Sequence, residues 1–101
     1  MPYRFTAFAS DDLAKLLYDL AERAGSWAVS TRMEQKLFAA FEEIAAQPGI
    51  GHLREDLIPH HVHFLYTDPY LILYLRDTSP VIIVGVLHGA RDIAALMSPR
   101  L

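Results

Sequence analysis

Cysteine occurs nowhere in the 101 residues, and that one absence removes disulfide frameworks, thiolate metal sites and cysteine nucleophiles together. A cysteine-free chain suits a reducing compartment, and a cytoplasmic location is the expectation. Long apolar runs are lacking too. The longest, Val81 to Leu87, falls far short of the ~20 residues that cross a bilayer as a helix. The opening Met1-Pro2-Tyr3-Arg4-Phe5 has neither the basic stretch nor the apolar core of a signal peptide, so no membrane segment is expected. Basic charge is scarce: nine Lys and Arg stand against twelve Asp and Glu, for a formal net charge of -3. Proteins that grip phosphate backbones usually carry a basic face, so this balance argues against direct binding of nucleic acid. GxSxG elbows, HExxH helices and glycine-rich phosphate loops are missing as well. No cofactor is implied.

What is present is apolar and patterned. With 52% hydrophobic residues and 21% charged, the chain can bury enough surface to offset the entropy of ordering, and its length suits one domain over residues 1–101. Tyr3 to Phe8 is aromatic and β-branched and predicts a first strand. Ser10-Asp11-Asp12 offers a cap and first-turn acids, followed by Leu13, Leu16, Leu17, Leu20, Ala21 and Ala24 on one helical face. Gly25 predicts a left-handed stop. A second helix is expected from Ser26-Trp27-Ala28, with Met33, Leu37, Phe41, Ile44 and Ala45 inward and Trp27 sealing the corner, rather than standing exposed as an anchor for a partner, until Gln47-Pro48-Gly49 ends it. Three strands follow: one through Val62, Phe64 and Tyr66, then Tyr70–Leu75, then Val81–Leu87, with turns at Asp68-Pro69 and Asp77 to Pro80. A short helix from Ile93 to Met97 is expected behind Asp92. The predicted class is α+β: an N-terminal strand and helical hairpin packed on a mainly antiparallel sheet, in the order β-α-α-β-β-β plus a short C-terminal helix.

Chemistry-bearing residues collect in the second half, which holds all five histidines. His60, His61 and His63 crowd together, but a zinc site needs three or four ligands and no helix supplies the rest. No metal is expected. Glu55-Asp56 are neighbours in one loop rather than carboxylates across a cleft. Arg54, His63, His88, Arg91 and Asp92 remain, polar residues near the ends of the sheet. Arginine and histidine together could cleave RNA without metal. The structural alternative is that Arg91 and Asp92 fix the last turn by a salt bridge or cap, while His88 bonds backbone at the end of its strand.

Three segments carry a resemblance. Pro48 to Leu57 (PGIGHLREDL), Tyr70 to Tyr74 (YLILY) and Val86 to Ile93 (VLHGARDI) resemble, in that order, the landmarks of ParE toxins in the RelE/ParE superfamily of type II toxin-antitoxin systems. The signature positions are Gly51, Arg54, Tyr70, Tyr74, His88, Gly89, Arg91 and Asp92, and the likeness spans nearly the whole chain. The resemblance implies a bacterial toxin in hetero-oligomeric complex with a cognate antitoxin that wraps and neutralises it, often associated with plasmid stabilisation. For the ParE branch it implies growth arrest through protein-protein binding to DNA gyrase, with no catalytic residue. The RelE branch instead cuts messenger RNA on the ribosome, and in that case Arg54, His88 and Arg91 would carry the reaction. A shared fold does not choose between branches. RelE-type nucleases are strongly basic, whereas this chain is acidic with only two lysines, Lys15 and Lys36; that favours the ParE branch. An inactive homologue retaining only antitoxin binding is a third possibility. His63 stands where many members of the family have an arginine.

Overall fold

The computed structural model describes residues 2–53, 61–89 and 91–100. Tyr3–Phe5 form strand β1, and the chain turns at once into helix α1, Ala7–Ala24. That helix begins earlier than the Ser10-Asp11-Asp12 cluster suggests, because Thr6 leaves the strand and caps it. The Thr6 Oγ1 accepts from the Ala9 amide at 3.1 Å, while the Thr6 amide donates to the Ile83 carbonyl at 3.0 Å. One residue thus ends the strand and starts the helix. Asp12 is thereby moved out of the first turn.

Gly25, at φ 64°, ends α1 in the left-handed conformation that glycine adopts without steric cost. Ser26 caps α2, Trp27–Ala46, its Oγ accepting from the Ala28 amide at 3.1 Å. The two helices lie antiparallel and are pinned where the buried Ser30 hydroxyl donates to the Leu17 carbonyl at 2.7 Å. Trp27 does not seal this corner: it is 62% exposed, and the Ser30–Leu17 bond with buried Ala21 closes the junction instead. A single 3-10 turn, Pro48–Ile50, follows α2.

The remaining strands are β2 (His52–Leu53), β3 (Val62–Thr67), β4 (Tyr70–Leu75) and β5 (Val81–His88), followed by helix α3, Ile93–Met97, and a 3-10 turn over Ser98–Arg100. The sheet order is β1-β5-β4-β3-β2. β1 runs parallel to β5, the chain passing through the helical hairpin and strands β2 to β4 between them, and the other pairings are antiparallel. The expected α+β class holds, with β2 as an unanticipated edge strand: two residues are too few to show alternation. A register shift between Leu73 and Tyr74 puts an irregularity in the β4–β5 pairing. The peptide bonds Asp68-Pro69 and Ser79-Pro80 are cis.

Burial on both faces explains why β4 and β5 are almost continuously apolar. Tyr70, Ile72, Tyr74, Ile83 and Val86 pack against Leu16, Leu37, Phe41 and Ile44 of the hairpin. Tyr3, Phe5, Phe38 and Phe41 extend this core, with ring centroids 5.1–6.1 Å apart in tilted or edge-on contacts. On the opposite face Val62, Leu73, Val84 and Leu87 form a second cluster with Met97 of α3.

Candidate functional site

The strands that meet at one side of the sheet differ in length. β1 pairs only with Val81–Ile83, whereas β5 runs on to His88, so the far end of β5 has no neighbouring strand there. Unpaired backbone groups at such an edge need other partners. Two side chains supply them. Asp12 Oδ2 accepts from the Val86 amide at 3.1 Å, and Arg100 Nη1 donates to the Val84 carbonyl at 3.2 Å. Asp12 and Arg100 also bind each other in a two-pronged ion pair, Arg100 Nη1 to Asp12 Oδ2 and Nη2 to Oδ1, the second contact at 2.9 Å. Their side chains are only 13% and 9% exposed. The guanidinium lies 5.0 Å from the centre of the Phe8 ring, a cation-π arrangement.

Beside this clasp lies a groove of about 340 Å³ between α1 and the end of β5. Its floor includes Tyr70, Val86 and His88; α1 contributes Lys15, Asp19 and Arg23, and the segment after β5 contributes Arg91 and Leu96. Burial raises the Tyr70 hydroxyl above its ordinary pKa, the Arg23 charge opposes that rise, and Asp19 adds to it. Asp19 and Arg23 of α1 thus both act electrostatically on the floor of the groove that they line.

The structure divides the signature residues between two places. Tyr70 and His88 are cross-strand partners, their rings edge-on with centroids 5.8 Å apart, and both line the groove with Arg91. The Arg91 amide donates to the His88 carbonyl at 3.0 Å, and Asp92 caps α3 by accepting from the Ala95 amide at 3.1 Å. Asp92 thus acts as a cap, and no Arg91–Asp92 salt bridge forms among the described residues. Gly89 does not need a left-handed backbone, since Gly25 is the only positive-φ glycine among the described residues; its amide donates to the Pro69 carbonyl at 2.9 Å. Tyr74 and Gly51 meet elsewhere, under the 3-10 turn. The Tyr74 hydroxyl donates to the Pro48 carbonyl at 2.6 Å and accepts from the Gly51 amide at 2.9 Å. Arg54, Glu55, Asp56 and His60 lie outside the described residues. Among those described, no three His, Asp or Glu side chains converge to hold a metal ion.

Asp12 and Arg100 are the residues that sequence reasoning missed. A signal for one of them was present: Asp12 lies four residues before Leu16 and so falls on the apolar stripe of α1. A carboxylate on a buried stripe calls for a partner.

His63 is 5% exposed, and its ring lies 5.7 Å from that of Tyr74. Its Nδ1 is buried without a hydrogen-bond partner. Burial, reinforced by the Arg76 charge, lowers its pKa, and the His61 backbone and the Asp77 carboxylate each oppose this only in part. Folded protein thus keeps His63 neutral in a pH range where the unfolded chain binds a proton. Stability should be fully retained above about pH 6.5, the ordinary histidine value, and fall as pH drops toward the lowered folded-state value. Urea titrations between pH 5 and 7.5 should show this slope, and His63→Leu should reduce it. An unchanged slope in a folded His63→Leu protein would place the acid sensitivity elsewhere.

The hairpin packed on a five-stranded mixed sheet defines a small α+β domain, and comparison with known proteins places it further. The solved chromosomal ParDE TA system from P. aeruginosa has a chain similar in fold, with a TM-score of 0.72 at 16% identity, covering 87% of this chain and 95% of that one. No curated protein matches significantly in sequence. The family model for the ParE toxin of the type II toxin-antitoxin system, parDE, matches residues 3–93. The chain belongs to the ParE toxin family.

Proposed function

We propose that this protein arrests growth by binding DNA gyrase and is neutralised by a cognate antitoxin in the cytoplasm, acting by protein contact and not by catalysis. The family match over residues 3–93 carries this reading. Charge distribution supports the choice of branch. β3, β4 and β5 contain neither lysine nor arginine, so the central strands offer no array of cations to hold and cleave an RNA backbone. His88 and Arg91 do line one groove, which keeps a ribosome-dependent nuclease as the second reading, with Arg54 as its third residue.

Expression without antitoxin should arrest growth and induce the DNA-damage response, and the purified protein should inhibit gyrase supercoiling. Co-expression of the neighbouring antitoxin gene should restore growth. Toxicity accompanied by ribosome-dependent cuts in messenger RNA, with supercoiling untouched at large excess of protein, would overturn the gyrase assignment in favour of the nuclease. Harmless expression of folded protein that still binds antitoxin would indicate an inactive homologue.

A further inference from the structure

The groove beside β5 concentrates positive charge on a chain whose net charge is -3. Lys15, Arg23 and Arg91 line it, and none of the three forms an ion pair among the described residues. Of the two carboxylates that also line it, Asp12 is already bound by Arg100. Asp19 alone stands against three cations. The lining is mixed, and Leu20 of α1 and Leu96 of α3 add apolar surface to the same concavity.

We propose that this groove docks an acidic segment of the antitoxin, whose carboxylates pair with Lys15, Arg23 and Arg91 while an adjacent apolar side chain packs against Leu20 and Leu96. The inference rests on the reading that the protein has a cognate antitoxin, and adds where and by what chemistry it is held. Complementary charge guides such an encounter and fixes its register, and an apolar centre with a charged rim is the usual anatomy of a protein interface. A nucleic-acid phosphate backbone fits less well. Tight binding to it draws on many cations along an extended track, whereas here three surround a single concavity that Leu20 and Leu96 also line.

The test uses the full-length toxin and the full-length antitoxin encoded beside it, with affinity measured at low and high salt. Arg23→Glu and Arg91→Glu replace exposed side chains, and thermal melts establish that each variant is folded. Each reversal should weaken binding about tenfold or more, and the pair together about a hundredfold. The double variant should also lose most of the salt dependence of the parent. Arg32→Glu, on an exposed residue that does not line the groove, should bind as the parent does. Lysines in place of the carboxylates of the antitoxin segment should restore binding to the double variant. Folded groove variants that bind antitoxin within about threefold of the parent would overturn the groove assignment while leaving the toxin-antitoxin reading intact. So would variants that lose affinity for an oligonucleotide but not for antitoxin. A parent protein that fails to bind the antitoxin at all would overturn both.

Discussion

Asp12→Ala should lower the free energy of unfolding by about 3–5 kcal/mol, the usual effect of removing one member of a buried ion pair. The carboxylate does two things at once: it binds the Arg100 guanidinium by both oxygens and accepts from the Val86 amide on the unpaired edge of β5. Its loss leaves a charge that is 91% buried with the Val84 carbonyl and the face of Phe8 as partners, and it strands a backbone donor. Against a total stability of about 5–15 kcal/mol for a domain of this kind, that is a large fraction. Arg100→Met should fall toward the lower end of the range, because methionine keeps much of the packing of the arginine stem and Asp12 keeps its bond to Val86. The Asp12→Ala/Arg100→Met double variant should cost clearly less than the two single effects added, since each single variant leaves an uncompensated charge and the double variant leaves none. Urea denaturation of the four proteins measures the cycle. Salt should change it little, the pair being shielded from solvent. Gly85 belongs to the same arrangement: a Cβ there would sit 3.0 Å from Arg100 Nη1 and 3.5 Å from the Met97 sulfur, so this position leaves room for the guanidinium. An Asp12→Ala protein within about 0.5 kcal/mol of the parent, the range of ordinary surface changes, would mean that the clasp does not hold the C-terminal turn.

Local chemistry was legible in the sequence where one or two neighbouring residues decide the outcome. Gly25 and Ser26 mark the hairpin link because a left-handed stop and a hydroxyl cap are short-range devices, and Asp92 caps α3 for the same reason. The start of α1 is not encoded in the local pattern. Ser10-Asp11-Asp12 is the denser cluster, but Thr6 holds the cap since its amide is already fixed by the Ile83 carbonyl of the parallel strand. That bond depends on tertiary pairing, which periodicity does not report. The clasp lies further out of reach: Asp12 and Arg100 are 88 residues apart, and a helical stripe shows which way Asp12 faces without naming what it meets. The groove itself comes from a mismatch between the lengths of β1 and β5. Strand existence is encoded in alternation, but relative length and register follow from pairing. The signature positions form one set in the sequence, whereas packing separates Tyr70, His88 and Arg91 at the groove from Gly51 and Tyr74 beneath the turn after α2.

Gly51→Ala and Tyr74→Phe should each destabilise the protein by about 1–3 kcal/mol, for opposite reasons. Tyr74 is fully buried, and its hydroxyl bridges the Pro48 carbonyl and the Gly51 amide, tying the end of the helical hairpin to the middle of the sheet. Phenylalanine preserves the ring and removes the bridge, so a carbonyl and an amide lose their partner together. At Gly51 the difficulty is excess volume. An added Cβ would lie 2.8 Å from the Phe64 carbonyl oxygen and 2.9 Å from Tyr74 Cε1, and would collide with the Tyr74 hydroxyl. Backbone of β3 cannot yield without disturbing its pairing with β2, and the tyrosine cannot yield without breaking both of its bonds. The backbone conformation at this position is ordinary extended chain, so the demand for glycine is one of space and not of φ. The two substitutions should therefore be markedly non-additive: with the hydroxyl already absent, the methyl group of Gly51→Ala loses its worst contact, and the double variant should be more stable than the sum of single effects allows. Urea denaturation supplies the three free energies, and amide exchange at residue 51 should quicken in Tyr74→Phe as its acceptor disappears. Additive losses, or an alanine at position 51 tolerated at no cost beside an intact Tyr74, would show that the hydroxyl and the glycine are not one lock.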